Sequence, residues 1–199
     1  MNNKVLGALA LIGAPFLCIN TYVHVPDPNA HVYVTNSLSG LFDLLYISGW
    51  ICSIIGLRRM GATGTDRFGR IILPVILGTL ALADLWNIYE MILPNHNTTL
   101  YYFLDSFWPI SNVVMIGVGI AVIRAGKLMT WKRYVPLLCG LWLPVTILVS
   151  FTLNDYAFLI SNAYTATTWT LLAIVILTSK EPINEQVDAY TDGLEMRVI

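Results

Sequence analysis

Apolar and polar positions along this chain fall in long blocks rather than alternating residue by residue. Six apolar runs dominate, over 5–23, 38–57, 71–93, 101–123, 134–153 and 156–179. Each is about 20 residues long, which is what an α-helix needs to cross the hydrocarbon core of a bilayer. The pattern therefore predicts an all-α, polytopic integral membrane protein: six transmembrane helices in one compact bundle. The first run follows Lys4, but its apolar core is too long for a signal peptide and no small-residue cleavage site follows it, so it is expected to stay as a helix. Beyond the sixth run, residues 181–199 form a polar tail carrying Glu181, Glu185, Asp188, Asp192 and Glu195.

The breaks between runs give the orientation. Lys4 precedes the first run; Arg58, Arg59, Arg67 and Arg70 lie between the second and third; Arg124, Lys127, Lys132 and Arg133 lie between the fourth and fifth; Lys180 and Arg197 follow the sixth. These are all 11 Lys and Arg of the chain, and all lie on one side of a six-helix serpentine. Lys and Arg are retained in the cytoplasm, so both ends are expected inside, in a cytoplasmic membrane of bacterial or archaeal type, with the acidic tail cytoplasmic too. The other side holds His24, His31 and His96 and its longest loop, roughly 24–37. Within that loop Pro26 and Pro28 favour extended backbone, and His31-Val32-Tyr33-Val34-Thr35 alternates as a short strand does; the loop is either a lid or a connector. Asn97-Thr98-Thr99 matches a glycosylation sequon, in a very short loop. The inner loop from Gly61 to Arg67 is glycine-rich but lacks the Gly-Lys-Ser/Thr ending of a phosphate loop, and anionic lipid headgroups account for its arginines.

Polar positions inside the runs gather in the outer half. Asp43 lies about two turns into the second run, Asp105 at similar depth in the fourth, and Asp84 and Glu90 in the outward half of the third. Helical spacing groups Asp105, Trp108 and Asn112 on one face, Asp84 and Asn87 on another with Glu90 rotated further round, and Asp43, Tyr46 and Trp50 on a third. Lipid does not tolerate such faces, so they are expected to turn inward, and an intramembrane carboxylate marks a functional site. The four carboxylates have no Lys or Arg beside them. They are carried as neutral acids, bind a cation or cationic ligand, hold a metal together with His24, His31 or His96, or bond to Trp, Tyr, Asn and Ser neighbours and lock the bundle. The candidate ligand-binding set is Asp43, Tyr46, Asp84, Trp86, Asn87, Glu90, Asp105, Trp108 and Asn112. Trp86 and Trp108 are either interfacial belt residues or the walls of an aromatic cage.

Composition narrows the classes. Residues of the apolar types AVILMFWYC make up 56% and charged residues 12%, about half the usual charged share. A net charge of −1 gives no reason to expect a nucleic-acid partner. The three cysteines, Cys18, Cys52 and Cys139, sit inside apolar runs without ligand or disulfide spacing and read as small apolar fillers. No Lys lies within a run, which removes a retinal Schiff base; no His lies within one, which leaves no bis-His haem. Neither Gly-x-Ser-x-Gly nor His-Glu-x-x-His occurs. No cofactor is expected.

The leading expectation is a protein that binds or transports a small cationic or aromatic solute, with membrane lipids as its surroundings. Six helices, an outer pocket, a long first loop and the small residues Ala10 and Ala14 on helix one together resemble the layout of the substrate-binding subunits of energy-coupling-factor vitamin importers, without any of their binding motifs. The small residues imply a membrane-protein partner through helix one. A metal-dependent hydrolase acting on lipid and a non-catalytic accessory subunit are the alternatives. A weak internal echo, Tyr101-x-Phe103-Leu104 against Tyr156-x-Phe158-Leu159, fits parallel helical hairpins. Pro15, Pro74, Pro109, Pro136 and Pro144 mark expected kinks, those at Pro109 and Pro144 opening space between helices.

Overall fold

Proline decides where the apolar runs break. A proline ring clashes with the carbonyl four residues back and removes one hydrogen bond. In the computed structural model, which describes residues 2–24, 36–94 and 98–179, helix α5 (Thr99–Asp105) ends four residues before Pro109 and α6 (Phe107–Ala125) begins after a one-residue break. Helix α7 (Val135–Gly140) likewise ends four residues before Pro144, and α8 (Trp142–Thr152) leaves it at 61°. At Pro15 the first run divides into α1 (Asn3–Gly13) and α2 (Phe16–His24), which still form one apolar span of 22 residues. Pro74 is absorbed inside the unbroken α4 (Arg67–Ile92), and Pro136 sits harmlessly in the first turn of α7. The remaining elements are α3 (Ser37–Arg59), a 3-10 turn (Thr130–Tyr134) and α9 (Asn154–Thr178).

Among the described residues there is no strand. Five helices are long and apolar enough to cross a membrane, and six if the bent pair around Leu141 is one span. The expected second and third runs appear as α3, one residue longer at its start and two at its end, and α4, which starts four residues earlier and ends one residue earlier. The first, fourth and fifth expected helices are each two helices in line or at an angle, divided at or shortly before Pro15, Pro109 and Pro144, three of the prolines at which kinks were expected. Strand-like 31–35, His31, His96, the sequon residue Asn97 and the tail from 181 onward lie outside the described residues.

The spans pack in sequence order and the ring closes: α1 on α3, α3 on α4, α4 on α6, α6 on α7, α8 on α9, and α9 back on α1. Close approach depends on missing side chains. A Cβ added to Gly13 would sit 2.7 Å from the Leu45 carbonyl oxygen and 2.8 Å from the Gly49 Cα. A Cβ on Gly119 would sit 2.4 Å from the Leu137 Cα. Ala10 and Ala14 are buried against this same α1–α3 seam. Ala10 and Ala14 are thus buried in contacts within the chain.

The core runs down the middle of the ring. Leu73, Ile76, Leu80, Ala83, Asn87 and Glu90 form the buried ridge of α4, spaced at three and four residues. At its centre Trp50 and Trp169 meet edge-on, 5.1 Å between ring centroids, with Tyr46 packed on Trp169 at 5.7 Å. Arg58 and Arg59 end α3, Arg67 and Arg70 start α4, and Arg124 ends α6. These cations share one end of the bundle. There the inner loop folds on itself: Gly61 and Gly64 take left-handed φ of 60° and 79°, Thr63 donates to the Gly69 carbonyl at 2.7 Å, and Asp66 caps α4 through the Gly69 amide at 3.1 Å. Its glycines answer to turn geometry.

Candidate functional site

The end of the bundle opposite those arginines is built from the last turns of α2, the first turns of α3, the last turns of α4 and the α5–α6 junction. Between them lies a cavity of about 220 Å3. Six of the residues singled out in the sequence line it: Asp43, Tyr46, Trp86, Asn87, Asp105 and Trp108. Leu17, Thr21, Ile47 and Ala83 complete the wall. Among these lining residues there are two carboxylates and no cation.

Local structure explains how each group arrives there. Asn36 accepts from the Leu38 and Ser39 amides at 2.8 and 2.9 Å, and Ser39 accepts from the Asn36 amide at 2.9 Å, a capping box that fixes the start of α3. From that start Asp43, Tyr46 and Trp50 fall on one inward stripe, as their spacing predicts. The break at Ser106 rotates α5 relative to α6, so Asp105 ends one helix while Trp108 lies in the first turn of the next, and both reach the cavity. Tyr46, 1% exposed, forms its floor and ties it to the Trp50–Trp169 cluster. Trp86 packs on Tyr101 at 5.5 Å, and Trp108 meets Trp142 edge-on at 5.0 Å. Each indole is therefore packed against another aromatic ring.

Three of the predicted residues are placed elsewhere. Asp84 lies beside the cavity, with Ser48 donating to one oxygen at 3.3 Å and Asn87 to the other at 3.2 Å. It bridges α3 and α4. Glu90 is fully buried, accepting from Ser39 at 2.6 Å with the Tyr101 hydroxyl also in hydrogen-bonding reach. Asn112 is fully buried one turn below Trp108 and donates to its carbonyl at 3.0 Å. The inward face of α4 is centred on Ala83, Asn87 and Glu90, one residue round from the Asp84–Asn87 face expected, which is why Glu90 is inside.

His24 is also placed differently. It belongs to the last turn of α2, buried, with Nδ1 3.2 Å from the Asn20 carbonyl oxygen and its ring 6.0 Å from that of Phe42. Asn20 in turn donates to the Ser39 carbonyl at 3.2 Å. Among the described residues no three of His, Cys, Asp and Glu come together as metal ligands would; the other two candidate histidines lie outside them. Sequence reasoning missed Ser39 and Ser48, the hydroxyls that engage Glu90 and Asp84. Ser39 had a signal: Asn36-x-x-Ser39 is a capping-box spacing just ahead of an apolar run. Ser48 had none, since one small hydroxyl inside a run is unremarkable. No protein-family model, no curated protein and no solved structure matches the chain.

Proposed function

We propose that this is a multi-pass membrane protein, with both ends on the cytoplasmic side, that binds a small organic cation in the cavity between α2, α3, α4 and the α5–α6 junction. One observation carries the reading: Asp43 and Asp105 line a single hollow together with aromatic and apolar side chains, Thr21 and Asn87, and among the described residues no Lys or Arg lines it. Charge at such a place has to be balanced, because a carboxylate away from water is costly. A bound cation does this, and the faces of Trp86 and Trp108 add about 0.5–2 kcal/mol each when the charge is desolvated. Asn87 and Thr21 supply hydrogen bonds that orient a polar substituent. The volume is below the ~300–1,000 Å3 of sites for drug-sized ligands, so the solute is small. Binding is the first step of either uptake or sensing.

A thermal-shift panel tests this with purified protein. Tetramethylammonium and benzylamine are compared with tert-butanol and benzyl alcohol, which share their shapes without the charge. The proposal expects stabilisation by the cations alone, lost in Asp43→Asn and Asp105→Asn. Equal stabilisation by the neutral compounds, or none by any of the four, contradicts it.

The accessory-subunit reading has support from a separate observation. Asp84 and Glu90 are both engaged by hydroxyls of α3, as residues that lock helices together are. For these two carboxylates we assign a structural role.

A further inference from the structure

A second hollow lies at the arginine-bearing end, between the 3-10 turn and the C-terminal end of α9. We propose that it binds the phosphate of an anionic lipid headgroup. The groove has a volume of about 400 Å3 and carries Lys127, Lys132, Thr130, Thr178 and Ser179 on its walls. No acidic side chain lines it among the described residues.

The two ammonium groups are held differently. Lys132 donates from Nζ to the Thr178 carbonyl at 3.3 Å and to its hydroxyl at 2.9 Å, so its charge is pinned against the end of α9. Lys127 is exposed and makes no hydrogen bond or ion pair among the described residues. One cation is preplaced and the other is free to close on a ligand. The Ser179 hydroxyl adds a donor, whereas those of Thr130 and Thr178 are already donated to the Met129 and Ile174 carbonyls. A phosphate takes such a set of convergent donors from ammonium and hydroxyl groups.

The backbone at the rim points the same way. Thr130 has φ 57°, the left-handed region, which is an outlier for a β-branched residue. That turn lies between Lys127 and Lys132, which both line one groove although only four residues separate them. Backbone strain of this kind costs on the order of 1–3 kcal/mol and persists only where the surroundings enforce it. The neighbouring hollow by Gly64 is a weaker candidate, because its Arg124 already pairs with Asp66 at 3.6 Å.

Location selects a lipid over a soluble phosphate. Met129 is 80% and Trp131 48% exposed beside the groove, next to Arg133 stacked on Tyr134 at 4.8 Å. Exposed apolar and aromatic side chains among cations mark the water–lipid boundary. Met60 and Met129 on the groove wall give the first carbons of an acyl chain a place to lie.

Native mass spectrometry of the full chain tests the proposal, with phosphatidylglycerol and phosphatidylcholine as probes. The expected result is one phosphatidylglycerol bound in preference to phosphatidylcholine. Lys127→Gln with Lys132→Gln lowers that preference by about 30-fold, at roughly fivefold per lysine, while Arg58→Gln with Arg70→Gln, which removes equal charge at the same end outside the groove, leaves it. Because Lys132 also ties the turn to α9, the single Lys127→Gln variant is measured alone and keeps about half of the logarithmic effect. Equal affinity for the two lipids, or an equal loss in the arginine control, overturns the proposal. An inorganic phosphate arm separates the sources: if millimolar phosphate raises the melting temperature of the wild type but not of Lys127→Gln, and phosphatidylglycerol shows no preference, the lipid assignment is wrong.

Discussion

Ser48 and Asn87 each donate to Asp84, whereas Asp105 faces a cavity, and this difference in neighbours separates two carboxylates that look alike in sequence. Removing the hydroxyl in Ser48→Ala leaves an Asp84 oxygen short of a donor. The expected cost is about 1–3 kcal/mol of stability, since a bond to a charged group is among the stronger ones. Ligand binding should be unchanged; a denaturation curve together with the thermal-shift panel reads both. Asp105→Asn should behave in the opposite way, with little change in stability and binding reduced by about tenfold or more, because one opposed charge at contact is worth several kcal/mol at an effective dielectric of about 20. Helical spacing alone placed Asp43, Tyr46 and Trp50 on a common inward stripe, and it placed Asp105 near Trp108. It misplaced Glu90, because a rotation of one residue along α4 changes which face is buried without changing the pattern of polar positions. The hydroxyl partners were illegible for a different reason: they are set by contacts between helices far apart in sequence.

At the level of elements, glycine and proline carry more of the fold than hydropathy does. Gly119→Ala places a methyl group 2.4 Å from the Leu137 backbone, so α6 and α7 must separate. Destabilisation of about 1–3 kcal/mol is expected from such overpacking. Gly78, by contrast, has nothing within 4 Å of an added Cβ and lies inside α4. Gly78→Ala should stabilise the protein by up to about 1 kcal/mol through helix propensity alone. The same denaturation assay, applied to both, compares two chemically identical substitutions with opposite expected signs. The apolar runs were readable from the sequence because a membrane span is long and needs no partner to be recognised. The breaks at Ser106 and Leu141 fall three residues before Pro109 and Pro144, where kinks were expected; Pro74, inside the unbroken α4, shows that a proline alone does not tell which run divides. Those two breaks matter to the site, since one sets Asp105 against Trp108 and the other tilts the helix that carries Trp142.

For the molecule as a whole, the closure of α9 on α1 turns six serial apolar blocks into a ring with a polar hollow at one end and cations at the other. No local pattern encodes that closure; it rests on small residues such as Gly7, whose added Cβ would lie 2.6 Å from the Leu177 backbone nitrogen. The ring gives the proposed orientation a direct consequence. In a background without the native cysteines, Thr65→Cys should be shielded from an impermeant maleimide added outside intact cells and Pro94→Cys should react; the reverse would invert the proposed topology. The cation-binding account itself is tested most directly by isothermal titration of the purified protein with tetramethylammonium, beside the Asp43→Asn, Asp105→Asn double variant. Saturable binding of one cation per chain by the wild type, absent from the double variant, is the predicted result. Heat indistinguishable from dilution in the wild type, or an identical isotherm in the variant, would contradict it.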